Sequence, residues 1–362
     1  MHRLPHRARK ALVHRLVESR RLRGRGEVLT GHHNINYVRR SGLVLALLLG
    51  AVPYTRFKYR VPLRTAVEVV PRIWPREADV LGVVCRYLRE VPPCLADLGD
   101  GSVHRYRMGR ALSDSGPQGR VDEELLRSFA AFFVRTARVP VAELPPRPEG
   151  WPLDGDTQGF LEWLVSFTER RVHRPNRDRF GALFDAVGIP EDAMARFAAQ
   201  HRCVTSRPFR LLHTDVHRAN VVVRGGPGRR LAVIDWELAI LGDPLHDLAT
   251  HLVRMAYGKE EQARMVELWA EAMEGAGFTD LTAGLHEDLP VYVAFEYAQS
   301  VFPDVMRAAV DLPGDAGAEH FRAAADRVER AMGRAREPLR LVDVPHREQI
   351  TEALRRWHRA SR

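Results

Sequence analysis

Asp215, Asn220 and Asp235 are two acids and an amide, close together in the chain and set in polar stretches. Apolar runs at Arg210 to Leu212 and Val221 to Val223 flank the segment that holds the first two. A GGPG turn follows, and a third run, Leu231 to Ile234, ends on Asp235. A hairpin of this kind places short loops side by side, so it would gather the three side chains into one small volume. Hard oxygen donors of this type suit magnesium better than zinc. A second arrangement competes for the same residues. His213, Asp215 and His217 alternate, so on an extended segment they share one face. They could then hold zinc for a hydrolase, but that leaves Asn220, Asp235 and the block at Gly242 without a task.

The full pattern is His213-Thr214-Asp215-Val216-His217-Arg218-Ala219-Asn220, then Ile234-Asp235-Trp236, then Gly242-Asp243-Pro244-Leu245-His246-Asp247-Leu248-Ala249. It resembles the aminoglycoside phosphotransferase family, whose loop reads H-G-D-x-H-x-x-N before I-D-W or I-D-F and G-D-P-x-x-D-L-A. Thr214 is the one departure, where the family has Gly. The resemblance implies an α+β, protein-kinase-like, two-lobed fold, with a small β-rich N-lobe and a larger, mostly helical C-lobe. It implies transfer of the γ-phosphate of magnesium ATP, with GTP left open, to a hydroxyl of a small molecule. Asp215 would take the hydroxyl proton, helped by His213. Asn220 and Asp235 would hold Mg2+. His217, Asp243 and Asp247 would support the loop, and Asp-Pro at 243–244 is itself a common helix start. Phosphoryl transfer asks mainly for positioning and charge neutralisation, which these residue types supply.

Further expectations come from the preceding 110 residues. Glu27 to Tyr37 reads as strand, turn, strand, and a loop here covers the nucleotide phosphates in the resembled family, with Gly31 at the turn and Asn34 as a phosphate contact. Tyr54 to Val61 alternates as a strand does, which points Lys58 and Arg60 the same way. Glu77, in the helix expected to have Pro75 in its first turn, is the natural partner. Arg60 is preferred to Lys58 for the phosphate, because a guanidinium matches phosphate oxygens in pairs. The backbone near Tyr106 would receive adenine. Leu43 to Leu49 reads as a short buried helix, and residues 39–42 as a turn.

From Val121 the periodicity is helical. Helices are expected at Asp122 to Ala137, Phe160 to Arg171, Arg179 to Val187, Asp192 to His201, Asp247 to Ala256, Glu260 to Gly275, His286 to Val310, Ala316 to Ala335, and from Glu348 to the end. The chain thus divides into a basic arm (1–24), a nucleotide-binding N-lobe (25–107), a C-lobe with the catalytic loop and acceptor pocket (108–345) and a C-terminal helix (346–362). Glu237, Glu296 and Asp304 are candidate acceptor contacts. They are few for a polyamine sugar, so an antibiotic and a hydroxylated metabolite both remain open as acceptors.

Composition bounds the rest. The chain has 362 residues and 45% hydrophobic residues, an ordinary globular balance. The apolar run at 43–52 is too short to span a bilayer. Three scattered cysteines form no disulfide framework, which favours a reducing cytoplasm. Nine basic residues before position 26, against Glu18 alone, hold eight of the nine net positive charges. Without aromatic interleaving or a nucleic-acid motif, this arm reads as a solvated or frayed helix and not as a nucleic-acid contact. A protein kinase is disfavoured, since Trp236 and Glu237 follow Asp235 in place of D-F-G. A catalytically silent nucleotide-binding module is the remaining alternative.

Overall fold

A computed structural model describes residues 5–23, 26–30, 34–63, 69–115, 120–224 and 230–361. Gly31 and the GGPG turn lie outside the described residues. The elements are α1 (His6–Arg23), β1 (Val28–Thr30), β2 (Asn34–Arg40), α2 (Leu43–Leu49), β3 (Arg56–Pro62), α3 (Glu77–Tyr87), β4 (Cys94–Asp97), β5 (Ser102–Arg105), β6 (Arg110–Ala111) and α4 (Glu123–Ala137). There follow α5 (Thr157–Phe167), α6 (Arg174–Ala186), α7 (Ala193–Gln200), β7 (Arg210–Leu212), β8 (Val221–Arg224), β9 (Arg230–Val233) and β10 (Ile240–Gly242). The last helices are α8 (Pro244–Met255), α9 (Lys259–Gly275), α10 (Leu285–Val310), α11 (Ala318–Ala335) and α12 (Arg347–Ala360). No described helix is long and apolar enough to cross a membrane.

The chain forms two compact units. The first joins Met1–Val67, Trp74–Pro146 and His217–Ala239, and the second joins Glu68–Ile73, Arg147–Val216 and Ile240–Arg362. These units do not follow the linear division at residue 107. The hairpin that ends on Asp235 belongs to the first unit, and the chain passes between units at Val216 and His217, inside the polar loop itself.

In the first unit an antiparallel sheet runs β1-β2-β3-β5-β4. Alternation along β3 buries Phe57 and Tyr59 on one side, in a cluster with Leu45, Leu49, Leu98 and Val103. Val13 and Val17 of α1 complete that cluster. The basic helix is therefore docked and not a solvated arm, because one apolar stripe, four residues apart, is enough to bury one face. Its arginines make local bonds, such as Arg9 to the Leu48 carbonyl at 2.8 Å. The helix α2 buries Leu45, Ala46 and Leu49 but exposes Leu43, Val44 and Leu47, so the expected short buried helix is buried on one face only. Residues 39 and 40 extend β2, leaving the turn to Ser41 and Gly42. Pro75 precedes α3, whose N-cap is Arg76. A second sheet, β6-β8-β9, carries the hairpin, with Val221 opposite Val233.

The second unit is largely helical. Residues Thr168–His173 form a π-helical turn that joins α5 to α6, where two separate helices were expected. Wide turns of this kind accommodate a missing donor, and Pro175 has no N–H to give. The strand β7 pairs with β10, Leu211 opposite Leu241, and not with the hairpin strands that follow it. Immediately after β10, Asp243 caps α8, accepting the Leu245 N–H at 3.0 Å, as Asp-Pro implies. Gly242 is required for a packing reason, since a Cβ there would lie 2.3 Å from the buried Phe160 ring. Gly242→Ala should therefore cost about 1–3 kcal/mol by overpacking. Urea titration of the purified variant checks this, and a loss below about 0.5 kcal/mol would show that Phe160 yields.

Candidate active site

In the first unit the side chains expected to handle the nucleotide converge on Arg60. Arg60 is 4% exposed. Nη1 lies 2.6 Å from Glu77 Oε2, and Nη2 lies 2.8 Å from Asp235 Oδ1 and 2.7 Å from Glu237 Oε1. Strand β3 aims Arg60 at this point, and the first residue of α3 supplies Glu77. The second Glu77 oxygen accepts the Trp236 N–H at 2.9 Å, which fixes the strand end next to Asp235. Lys58, two residues back along β3, has Arg60, Asp235, Glu77 and Glu237 as electrostatic neighbours, so the pair does share a face. Burial lowers the Lys58 pKa, and Arg60 adds to that. Burial would likewise raise the Glu77 carboxyl, but Arg60, His104, Lys58 and the Trp236 N–H outweigh it and hold the group down at about 2. His104, bonded to Ser102 at 2.7 Å, is pushed down to about 4 by burial.

Three carboxylates, Glu77, Asp235 and Glu237, thus surround Arg60 and Lys58, so acids outnumber basic side chains by one. Asp235 is the most open of the three acids, its side chain 28% exposed against 11% for Glu77 and 12% for Glu237. Asn220 is its neighbour, because the Ile234 N–H donates to the Asn220 carbonyl at 2.9 Å. The Asn220 side-chain amide lies 3.2 Å from His217 Nε2. An added divalent cation fits this donor set, since it balances the surplus acid with oxygen ligands. His217 Nδ1 accepts the Ala219 N–H at 3.3 Å. Both of its ring nitrogens are engaged within the loop, so the zinc arrangement loses a ligand.

Two of the expected ligand contacts meet each other: Asn34 donates to Glu237 Oε1 at 3.0 Å. Glu237 is held by Asn34 and Arg60. Tyr106 carries Arg56 over its ring at 4.5 Å, and its N–H donates to the Arg56 carbonyl at 3.4 Å.

In the second unit Asp247, 2% exposed, organises the loop that begins at His213. It accepts the His213 N–H at 2.9 Å and the Thr214 N–H at 2.7 Å. The His213 ring accepts the Asp215 N–H at 3.2 Å. Thr214 sits at φ +58°, the left-handed region that a Gly occupies without strain. Burial raises Asp247 to about 6 against the pull of the two amides. Asp215 itself is paired with Arg254 of α8, whose Nε is 4.0 Å from Glu296. Glu296 is 2% exposed and accepts from Thr250 at 3.0 Å and Gln299 at 3.2 Å. It is a support for Arg254, and no longer reads as a contact for an acceptor. Asp304 lies 3.6 Å from Arg334.

The model of the APH phosphotransferase enzyme family matches residues 63–286, more than half of the chain. The chain belongs to this family. Solved structures agree on a kinase-like fold. A Plasmodium vivax ethanolamine kinase is similar at 12% identity and TM-score 0.53, covering 87% of this chain and 81% of its own. A choline/ethanolamine kinase family protein from Mesorhizobium loti is similar at 18% and 0.50, covering 95% and 99%. A Ralstonia eutropha protein described as an aminoglycoside phosphotransferase is similar at 17% and 0.54, covering 98% and 99%. No curated protein matches the chain.

The matched span of this phosphotransferase contains Asp215, Asn220, Asp235 and Asp247, while Arg60 precedes it. Sequence reasoning missed several supports. Arg254 was detectable, since it lies two helical turns after Asp247 and so on the same face of α8. His251 donates Nδ1–H to the Val216 carbonyl at 2.9 Å and meets the Tyr257 hydroxyl through Nε2 at 2.9 Å. Arg207, fully buried, grips Asp243 with Nε and Nη2 at 2.9 and 2.7 Å and Asp288 with Nη1 at 2.6 Å. No local pattern announces that triad.

The Glu77 shift has a measurable consequence. Its carboxyl is held at about 2, below the ordinary 4.5, so its stabilising share is complete above pH 4.5 and is lost as pH falls towards 2. Glu77→Gln should lower stability at neutral pH by on the order of 3 kcal/mol and flatten the loss between pH 4.5 and 2. Denaturant melts across that window decide it; parallel curves for the two proteins would remove Glu77 from the acid response.

Proposed function

We propose that this phosphotransferase moves the γ-phosphoryl group of magnesium ATP or GTP to a hydroxyl of a small molecule, in a reducing, cytoplasmic setting. The observation that carries the reading is the contact between Arg60 and Asp235. It sets a guanidinium that receives phosphate oxygens against an open carboxylate that receives a cation, the two needs of a metal–triphosphate. Arg60, in preference to Lys58, takes the phosphate, and Glu77 holds Arg60 ready. Backbone groups around Tyr106 receive the base, and the turn at Gly31 covers the phosphates. Magnesium held by Asp235 and Asn220 would neutralise phosphate charge.

Asp215 orients the acceptor hydroxyl. As the hydroxyl oxygen bonds to the γ-phosphorus, its proton passes to the Asp215 carboxylate. The bond from that phosphorus to the β–γ bridging oxygen breaks, and the nucleoside diphosphate leaves with the electron pair. Asp247, through the His213 and Thr214 amides, fixes the loop that carries Asp215. Arg254 fixes the direction of its carboxylate.

Asp215→Asn should cut kcat by about 10²–10⁴-fold while nucleotide affinity stays within about twofold. An ADP-release assay on the purified variant reads this, and full turnover would remove Asp215 as the base. Asp235→Ala should abolish the magnesium-dependent stabilisation by ATP, which at a hundredfold the dissociation constant is about 2.7 kcal/mol for the unaltered protein. Equal melts for variant and parent would place the cation elsewhere. Nucleotide binding without turnover of any hydroxyl compound would favour the silent module.

A further inference from the structure

Residues 1–56 carry twelve arginines and lysines against two acids, Glu18 and Glu27. Both acids are engaged within the first unit, Glu18 with Arg21 at 2.7 Å and Glu27 with Arg56 at 3.3 Å. Part of the basic excess borders one apolar face. The helix α2 turns Leu45, Ala46 and Leu49 into the core, which leaves Leu43, Val44 and Leu47 outward, about one turn apart. The chain then returns past the start of that helix. The Ser41 N–H donates to the Thr55 carbonyl at 2.9 Å, and Ser41 Oγ to the Val52 carbonyl at 3.5 Å. Val52 and Tyr54 come with it. These five residues are each between 54% and 70% exposed. Single exposed apolar residues are ordinary, but five on one short helix and its return make a patch.

The helix α1 runs beside α2 and frames that patch. Arg9 Nε donates to the Leu48 carbonyl at 2.8 Å, near the C-terminal end of α2. The Arg20 guanidinium stands at the other end, where a Cβ on Gly42 would lie 2.6 Å from it. Arg40 is exposed two residues before Gly42, and Arg7 and Arg15 are exposed along α1. Among the described residues, none of these five guanidinium groups pairs with a carboxylate. An apolar strip bordered by such cations matches the boundary of a bilayer, where hydrocarbon begins just below a layer of phosphates. A second copy of the chain would set arginine against arginine. A nucleic acid would leave the leucines in water.

We propose that α1 and α2 form a docking surface for a membrane that carries anionic phospholipids. The apolar face of α2 enters the headgroup boundary, and the arginines around it meet lipid phosphates. Contact is peripheral, as no described helix is long and apolar enough to cross. The surface precedes the matched span of residues 63–286, and its role does not depend on the phosphotransfer reading.

The test is co-sedimentation of the full chain with vesicles of phosphatidylcholine alone or mixed with phosphatidylglycerol. The chain should sediment with the mixed vesicles and stay in solution with the neutral ones. Binding should weaken as salt rises, since exposed charges are screened. Leu43→Ser combined with Leu47→Ser should weaken it at least about tenfold, by removing apolar area that the bilayer would cover. Arg7→Gln and Arg15→Gln should each weaken it about fivefold. All four side chains are exposed, so the variants should melt with the parent, which separates lost docking from unfolding. Should the double leucine variant melt early, Val44→Ser carries the same comparison. Absence of binding to the mixed vesicles overturns the proposal, and so does equal binding to the neutral ones. Binding that the leucine and valine variants leave unchanged overturns it too, because charge alone would then hold any polyanion. Two further results reassign the face and overturn the lipid reading. One is self-association in analytical ultracentrifugation that the leucine variant abolishes. The other is capture of a DNA duplex in preference to the mixed vesicles.

Discussion

A guanidinium that is almost fully buried is stable only where carboxylates surround it, and Arg60 has three. Removing one partner of such a pair leaves an uncompensated charge and is costly, whereas the assembled cluster is self-consistent. That constraint ties together four parts of the first unit: the strand β3, the start of α3, the start of β2 through Asn34 and Glu237, and the end of the hairpin at Asp235. In that cluster the acids outnumber the basic side chains by one, a balance that an added cation would even.

The second unit solves a related problem by a different route. The loop after β7 is held through its backbone, with Asp247 accepting two N–H groups and His251 donating to the Val216 carbonyl. The Asp215 side chain is then paired with one arginine. Two non-glycine residues in these motifs, Thr214 and Asp235, bear positive φ. Strain of that kind persists where surrounding bonds over-determine the backbone. At Thr214 those bonds are on the page. The Asp247 carboxylate holds the Thr214 amide and the His213 amide before it.

Arginine does nearly all of this work. Lysine occurs only at positions 10, 58 and 259. Arg60, Arg207 and Arg254 each collect carboxylates from distant segments, using several donors at fixed angles, which an ammonium group does less well. The same composition that gives the chain its positive charge thus supplies its internal clamps. The basic helix α1 is likewise absorbed into the fold of the first unit by two valines.

The sequence by itself determined the family, the order of the motifs, the helical periodicity from residue 121 onward and the pairing of Arg60 with Glu77. These depend on residue type and short spacing, and periods of 2 and 3.6 are local properties of the backbone. Arg254 was within reach by the same logic, two turns from Asp247. Only the tertiary structure decided that Glu237 faces Arg60, that Glu296 is buried against Thr250 and Gln299, that β7 pairs with β10, and that Asn34 donates to Glu237. Those assignments depend on which atoms meet across 203 residues in the Asn34–Glu237 bond or 159 in the Glu77–Trp236 bond. Charge pairing follows distance and burial, and neither is a function of separation along the chain.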